Sequence, residues 1–263
     1  MDNEFQIDLS AEEIFVLAGL LGYETVFGIG EQQTFDFNGD LKRRIKSTVK
    51  TLERKKLIRY DLDGTLFIKS KLKLCIECIC EAQTIGLFST NIKTGKNATM
   101  YVLEKNNMIS LVEKMKNGKY RVLLGDDSFL SKIFPSAILN SKSGGIREKM
   151  LYEEAVCIQE QICSFNETQA NTLLRKCISS EENIPCISEI LSGGSKFLNV
   201  RIFRKDKRMY KTSFNSLIAI SHNKSICVSA DENEVVNFCA IEPKQVYEQV
   251  EVHLFGKNKG GVV

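Results

Sequence analysis

The stretch Met108–Leu124, MISLVEKMKNGKYRVLL, decides the fold: two apolar runs flank the polar pair Asn117-Gly118. Asn-Gly readily takes the left-handed backbone of a tight hairpin, so Met108–Lys114 and Tyr120–Leu124 read as paired antiparallel strands. Upstream, Ile85–Ile92 and Ala98–Glu104 have the same character, with Asn106-Asn107 as a further turn pair.

Before these strands the rhythm is helical. Ser10-Ala11-Glu12-Glu13 has the form of a capping box, in which the hydroxyl and the carboxylate each satisfy an orphan N–H. Ile14, Leu17, Ala18 and Leu21 follow at helical spacing, and Gly22 stops the run. Glu31–Gly39 reads as a polar loop. A second helix spans Asp40–Lys56, with Leu41, Ile45, Val49 and Leu52 on one face and Arg54-Lys55-Lys56 at the negative end of its dipole. Leu57–Tyr60 and Leu66–Ile68 flank Asp61-Leu62-Asp63-Gly64 as a small hairpin, and a third helix covers Ser70–Ala82. After the strands, Asp126–Phe134 is a short helix closed by Pro135.

The second half repeats the plan. Helices are expected at Ile146–Cys163, Glu167–Cys177 and Ile184–Leu191, with Ser192-Gly193-Gly194 as a break. Strands follow at Phe197–Arg204, Met209–Ser221, Lys224–Ser229 and Val235–Ala240, and Glu242-Pro243 opens a last helix lined by Val246, Val250 and Leu254. The expected fold is α+β: a central antiparallel sheet with flanking helices, in two pseudo-symmetric halves of helices, strands and a terminal helix. The halves are 1–139 and 146–256, joined by a linker at 140–145 and followed by a flexible tail at 257–263, together one composite domain. Leu123-Leu124-Gly125-Asp126-Asp127 before one terminal helix parallels Cys239-Ala240-Ile241-Glu242-Pro243 before the other, which reads as a structural duplication.

Composition narrows the function. The 263 residues are 43% hydrophobic and 26% charged, ordinary for a globular chain and unlike a disordered one. No apolar run reaches the roughly 20 residues of a membrane span, and Met1-Asp2-Asn3-Glu4 is acidic where a secretory leader is basic. The chain therefore reads as soluble and not exported by the general route. A net charge of +3, from 36 basic and 33 acidic residues well mixed, is no nucleic-acid footprint. Nine cysteines, an odd number scattered through apolar segments, read as reduced thiols.

Candidate chemistry is sparse. The two histidines are His222, in the turn Ser221-His222-Asn223-Lys224, and His253, near the end of the last helix. Neither has an evident orienting partner, and no serine lies in a nucleophile elbow. Cys75-Ile76-Glu77-Cys78-Ile79-Cys80 holds a Cys-x-x-Cys, but no second pair completes a zinc site, and the cysteines fall in an apolar helical pattern. Gly28-Ile29-Gly30 lacks the third glycine of a dinucleotide loop, and Ser192-Gly193-Gly194-Ser195 joins a helix end to a strand. No catalytic residue, cofactor or metal is expected, and the chain reads as a non-enzyme. The passage Leu41–Ile68 has the order of a winged helix, with Arg43, Arg44, Lys46 and Lys50 as candidate phosphate contacts, so a DNA-binding regulator is the alternative function.

The whole layout resembles one family, the EspG-type chaperones of type VII (ESX) secretion and their low-GC Gram-positive counterparts associated with LXG toxins. The resemblance rests on the opening Leu9-Ser10-Ala11-Glu12-Glu13-Ile14 and the passage Leu52-Glu53-Arg54-Lys55-Lys56-Leu57-Ile58 with its Asp63-Gly64 turn. It continues through the strand ending Tyr120-Arg121-Val122-Leu123-Leu124 to Arg175 and Ile190-Leu191 before the last strands. It is one of architecture and apolar rhythm, and the Trp-rich and Arg-rich strand positions of mycobacterial members are missing. The resemblance implies a cytoplasmic chaperone or adaptor that binds helical secretion substrates, LXG or WXG proteins or their small helical partners. A sheet face with exposed apolar groups would serve such a role. Strand Phe197–Arg204 is the candidate, with Phe197 and Phe203 on one face and Leu198, Val200 and Ile202 on the other.

Overall fold

A computed structural model describes residues 5–29, 41–91, 98–126, 129–134, 136–143 and 145–256. The loop at 31–39, the tail at 257–263, Gly30, Asp40, Pro135 and the start of the 126–134 helix at 127–128 lie outside the described residues. The first elements are β1 Phe5–Leu9, α1 Ala11–Leu20, α2 Leu41–Arg54, β2 Ile58–Tyr60, β3 Leu66–Ile68 and α3 Ser70–Glu81. Next come β4 Thr84–Thr90, β5 Ala98–Lys105, β6 Met108–Lys114, β7 Tyr120–Gly125, α4 Phe129–Ile133 and α5 Ser136–Leu139. They are followed by β8 Lys142–Ser143, β9 Arg147–Leu151, α6 Tyr152–Cys163, α7 Glu167–Cys177 and, after a 3-10 turn, α8 Ile184–Leu191. The last are β10 Lys196–Asp206, β11 Met209–Ser221, β12 Lys224–Ala230, β13 Val235–Ala240 and α9 Pro243–Phe255.

The fold is α+β with a large antiparallel sheet. Its strand order is β1-β7-β6-β5-β4-β10-β11-β12-β13-β9, with the short β8 pairing in parallel with β12. The β2–β3 hairpin forms a separate two-stranded sheet. Two compact units are distinguished, residues 1–87, 99–129 and 202–212, and residues 88–98, 130–201 and 213–263.

In the first unit, Ser10 caps α1: its Oγ accepts the Glu13 N–H at 3.1 Å while Glu13 Oε2 accepts the Ser10 N–H at 2.9 Å. This fixes the helix start so that Ile14 and Leu17 face inward. β1 pairs antiparallel with β7, and β7 with β6 in the register Val112↔Val122. Across these strands lies α3, and Leu72, Cys75, Ile76 and Ile79 are fully buried in the same core. Each fully buried Leu or Ile contributes roughly 1.5–3 kcal/mol. α2 is held more lightly. Only Thr48 and Leu52 are buried on it, and two ion pairs tie it to α1, Arg44–Glu12 at 3.3 Å and Lys55–Glu13 at 2.6 Å.

In the second unit, β11, β12, β13 and β9 pair in sequence, and Ile158 of α6, Leu174 of α7 and Ile187 of α8 pack with Ile226 and Phe238. α9 buries Val246, Val250 and Leu254, as its spacing predicts, and ends at Gly256, whose φ of 65° closes the helix. One expectation fails here. Residues 147–151, expected to lie in the first turns of a helix starting at Ile146, are strand β9 paired to β13. Glu148 and Met150 point inward and Arg147, Lys149 and Leu151 outward, so the period is 2 and not 3.6. The pairing overrides the helix-forming Arg-Glu-Lys-Met-Leu composition. Buried Glu148 then takes a structural part: its carboxylate accepts the N–H groups of Ser179 at 2.8 Å and Ser180 at 3.1 Å and the Asn183 amide at 2.8 Å.

Candidate functional site

The sequence-based candidate, β10, proves to be a core strand on one face. Leu198, Val200 and Ile202 are fully buried, and Phe203 is half-buried against the first unit's core. Phe197 is half-buried in the second unit, where Asn91 clamps the strand start by accepting the Phe197 N–H at 2.8 Å and donating to Ser195 O at 3.2 Å. Three of the five residues therefore present no surface to a partner. β10 is an interior strand of the sheet, flanked by β4 and β11, and its period-2 alternation turns these three residues to the buried face.

Cys75, Cys78 and Cys80 are buried on α3, and burial pushes the thiols of all three up to about 12, far from the thiolate that redox or metal chemistry uses. Among the described residues, no group of three or more His, Cys, Asp or Glu side chains is placed to hold a metal ion. His222 sits in the β11–β12 turn with φ 49° and, against expectation, has a partner: its Nε2 lies 3.7 Å from Glu189 Oε2. Ser221 Oγ donates to that same oxygen, so serine and histidine converge on one carboxylate and do not form a nucleophile–base pair. The His253 ring lies 5.2 Å from that of Phe214.

The strongest exposed apolar feature lies elsewhere in the first unit, on the β2–β3 hairpin. α2 ends when Lys56 turns left-handed (φ 56°) and the Leu57 N–H reaches back to Leu52 O at 3.0 Å, which throws the chain into β2. Asp61 then shapes the turn. Its Oδ1 accepts the N–H groups of Asp63 at 3.1 Å and Thr65 at 2.7 Å, and Gly64 supplies the left-handed residue (φ 79°). Leu62 is left at the tip with its side chain wholly in solvent, 106% of the reference exposure. Tyr60 and Phe67, one on each strand, are 42% and 44% exposed. The Arg59 guanidinium stacks over the Phe67 ring, 5.1 Å from its centroid.

Beside the hairpin is a groove of about 540 Å³, floored by Leu57, Ile58 and Ile68 and rimmed by Lys56, Arg59 and Lys69 with Glu53 as the one carboxylate. An apolar floor with a cationic rim suits a protein segment that presents apolar side chains with acidic neighbours. The wing of the DNA-binding alternative fits this less well. Arg44, one of its four proposed phosphate contacts, is engaged by Glu12, and Leu62 offers no donor at the tip. The hairpin itself was legible; the full exposure of its tip was not. The usable signal was one apolar residue between Asp61 and Asp63, where a turn normally exposes polar groups.

No family model and no curated protein sequence matches the chain. Among solved structures it is similar in fold to the Mycobacterium tuberculosis type VII secretion system chaperone EspG5, determined in complex with a PE25-PPE41 dimer. The identity is 11%, the match covers 98% of each chain, and the TM-score is 0.60. At that identity the likeness is one of fold. Among the described residues no helix is long and apolar enough to cross a membrane.

Proposed function

We propose that this protein is a non-enzymatic cytoplasmic chaperone or adaptor that holds helical substrates of a type VII-like secretion system before export. The observation that carries the reading is the β2–β3 hairpin, with Leu62 bare at its tip and Tyr60 and Phe67 exposed on its strands. Phe67 lies on the Arg59 face of the hairpin and Tyr60 on the other, so Leu62 at the tip and Phe67 behind it are the pair that a partner would cover. The end-to-end likeness in fold to a chaperone captured with its export dimer supports the same reading.

On this account Leu62 and Phe67 enter the apolar seam of a helical pair, and Lys56, Arg59 and Lys69 meet acidic residues beside it. The low-GC, LXG-associated branch is the proposed setting, with WXG-type or small helical proteins as clients. The test is co-expression with the helical export proteins encoded beside it, followed by purification on a tag carried by this chain. The wild type is expected to co-purify with a helical partner, and the double variant Leu62→Asp/Phe67→Asp, checked for an unchanged melting temperature, is expected to lose it. Retention of the partner by that variant would overturn the assignment of the hairpin. Failure of the well-folded wild type to hold any of them would overturn the chaperone reading.

A further inference from the structure

Cys227 on β12 and Cys239 on β13 are direct cross-strand partners. The bonds Asp231 N–H to Val235 O (3.0 Å) and Ile241 N–H to Ser225 O (3.3 Å) extend the same register on either side of them. Bonded pairs alternate along an antiparallel ladder, so 227/239 is a hydrogen-bonded position, where the Cα atoms stand about 5.5 Å apart. The Cα spacing lies within the span of about 4.4–6.8 Å that a disulfide bridges, and closing the bond draws the Cβ atoms together by about 1 Å from the roughly 5.5 Å of such a pair. Direct partners project to the same side of a sheet. The flanking Ile226 and Phe238 are fully buried, so the two thiols share the opposite face.

Their surroundings differ in a useful way. Cys239 is exposed, whereas Cys227 is half-covered and has its Sγ 3.6 Å from Ser216 Oγ. Burial raises the Cys227 thiol, and the nearby Cys239 raises it further. Five other cysteines are placed differently. Cys75, Cys78 and Cys80 are shut inside a core, and Cys157 and Cys163 stand six residues apart on one helix, which turns them to different sides.

We propose that Cys227 and Cys239 form a reversible dithiol–disulfide site whose oxidant is a small disulfide of the glutathione class. The exposed Cys239, as thiolate, attacks one sulfur of RS–SR; a Cys239–S–SR bond forms, and RS⁻ leaves and takes up a proton. Cys227 then gives up its proton and attacks the Cys239 sulfur, which closes the intramolecular disulfide and releases the second RSH. Two protein thiols are oxidised by two electrons, and one RSSR is reduced to two RSH. The closed pair ties β12 to β13 immediately before Glu242, the residue that leads into α9.

The test uses the full reduced chain, glutathione disulfide at mildly alkaline pH, an acid quench, alkylation in denaturant and peptide mapping by mass spectrometry. A Cys227–Cys239 linked peptide, with two fewer alkylated cysteines, is the expected product. Cys227→Ser is expected to stop at a glutathione adduct on Cys239, and Cys239→Ser to slow any reaction at Cys227 by about tenfold or more, since Cys227 is half-covered. A wild-type map in which Cys239 keeps its glutathione while Cys227 is alkylated would overturn the proposal. So would a first linkage through Cys157 or Cys163. The wild-type map decides the matter alone if either variant folds poorly.

Discussion

The β2–β3 turn, Asp61–Thr65, and the β12–β13 turn, Asp231–Val235, are closed by the same bonds. In each, the aspartate Oδ1 accepts from the N–H two residues on and again from the N–H four residues on: 3.1 and 2.7 Å in the first, 2.9 and 3.1 Å in the second. In each, the aspartate's own N–H bonds the carbonyl of the closing residue, Thr65 at 3.1 Å and Val235 at 3.0 Å. The contrast lies in what the turns carry. Position two is Leu62 in one and Glu232 in the other; position four is Gly64 in one and Glu234, with φ 59°, in the other. β12 and β13 belong to the large sheet, whereas β2 and β3 pair only with each other. A surface hairpin with a structural task can afford backbone strain and wants a charged tip. The β2–β3 hairpin has a relaxed backbone and a bare leucine, the pattern expected where the tip's own surface is the function.

The comparison breaks most visibly in binding. Leu62→Asp with Phe67→Asp is expected to weaken capture of a helical client by a hundredfold or more, as two apolar anchors worth about 2–4 kcal/mol are lost. Glu232→Ala, at the matching position of the other turn, is expected to leave capture unchanged. Equal losses from both would dissolve the contrast.

Stability separates the turns next. Removing the capping carboxylate costs about 1–2 kcal/mol in either hairpin. Asp231→Ala is expected to lower the urea midpoint of the second unit, because its strands carry the sheet. Asp61→Ala is expected to leave the global midpoint in place and to speed amide exchange only within 58–68.

The fourth position gives a smaller and opposite pair of effects. Glu234→Gly relieves a left-handed side-chain residue and is expected to raise stability by about 0.5–1 kcal/mol. Gly64→Ala introduces that penalty; no atom lies within 4 Å of the added methyl, so the loss, about 1 kcal/mol, is purely conformational.

The smallest effect is in pH. Burial raises the Glu148 carboxyl, but the N–H donors of Ser179 and Ser180 and the Asn183 amide outweigh it and hold it below the usual carboxylate range. The folded value being depressed, its contribution is complete above the unfolded value of about 4.3 and is lost as pH falls through the folded value. Glu148→Gln is expected to be less stable at neutral pH and to flatten the acid limb of urea midpoints, with β9 and its partner β13 loosening less steeply on acidification.

Much of the fold was legible because its signals are local. The Ser10–Glu13 capping box, the Asn117-Gly118 turn and the Pro243 helix start each act over a few residues, and α7, α8, β6, β11 and β13 fall on their expected bounds. Tertiary pairing hid the rest. β1 alternates Phe5, Ile7 and Leu9 over only five residues and exists through its ladder with β7. β9 carries helix-forming residues and is held extended by β13 and by Glu148. The burial of Leu198, Val200 and Ile202 on β10 was hidden for a related reason. Apolar groups on both faces of β10 are equally the mark of a strand inside a core, and only burial tells the two apart. The single leucine in an aspartate-flanked turn was in plain view, but its exposure depends on a hairpin that joins no larger sheet.

The most direct test of the chaperone account is a hydrogen-exchange footprint of the complex purified with its helical client, compared with the free protein. Amides within 58–68 are expected to slow by at least tenfold on binding, with the groove residues Leu57 and Lys69 slowed beside them. A stable complex in which 58–68 exchanges as fast as in the free protein would contradict the account.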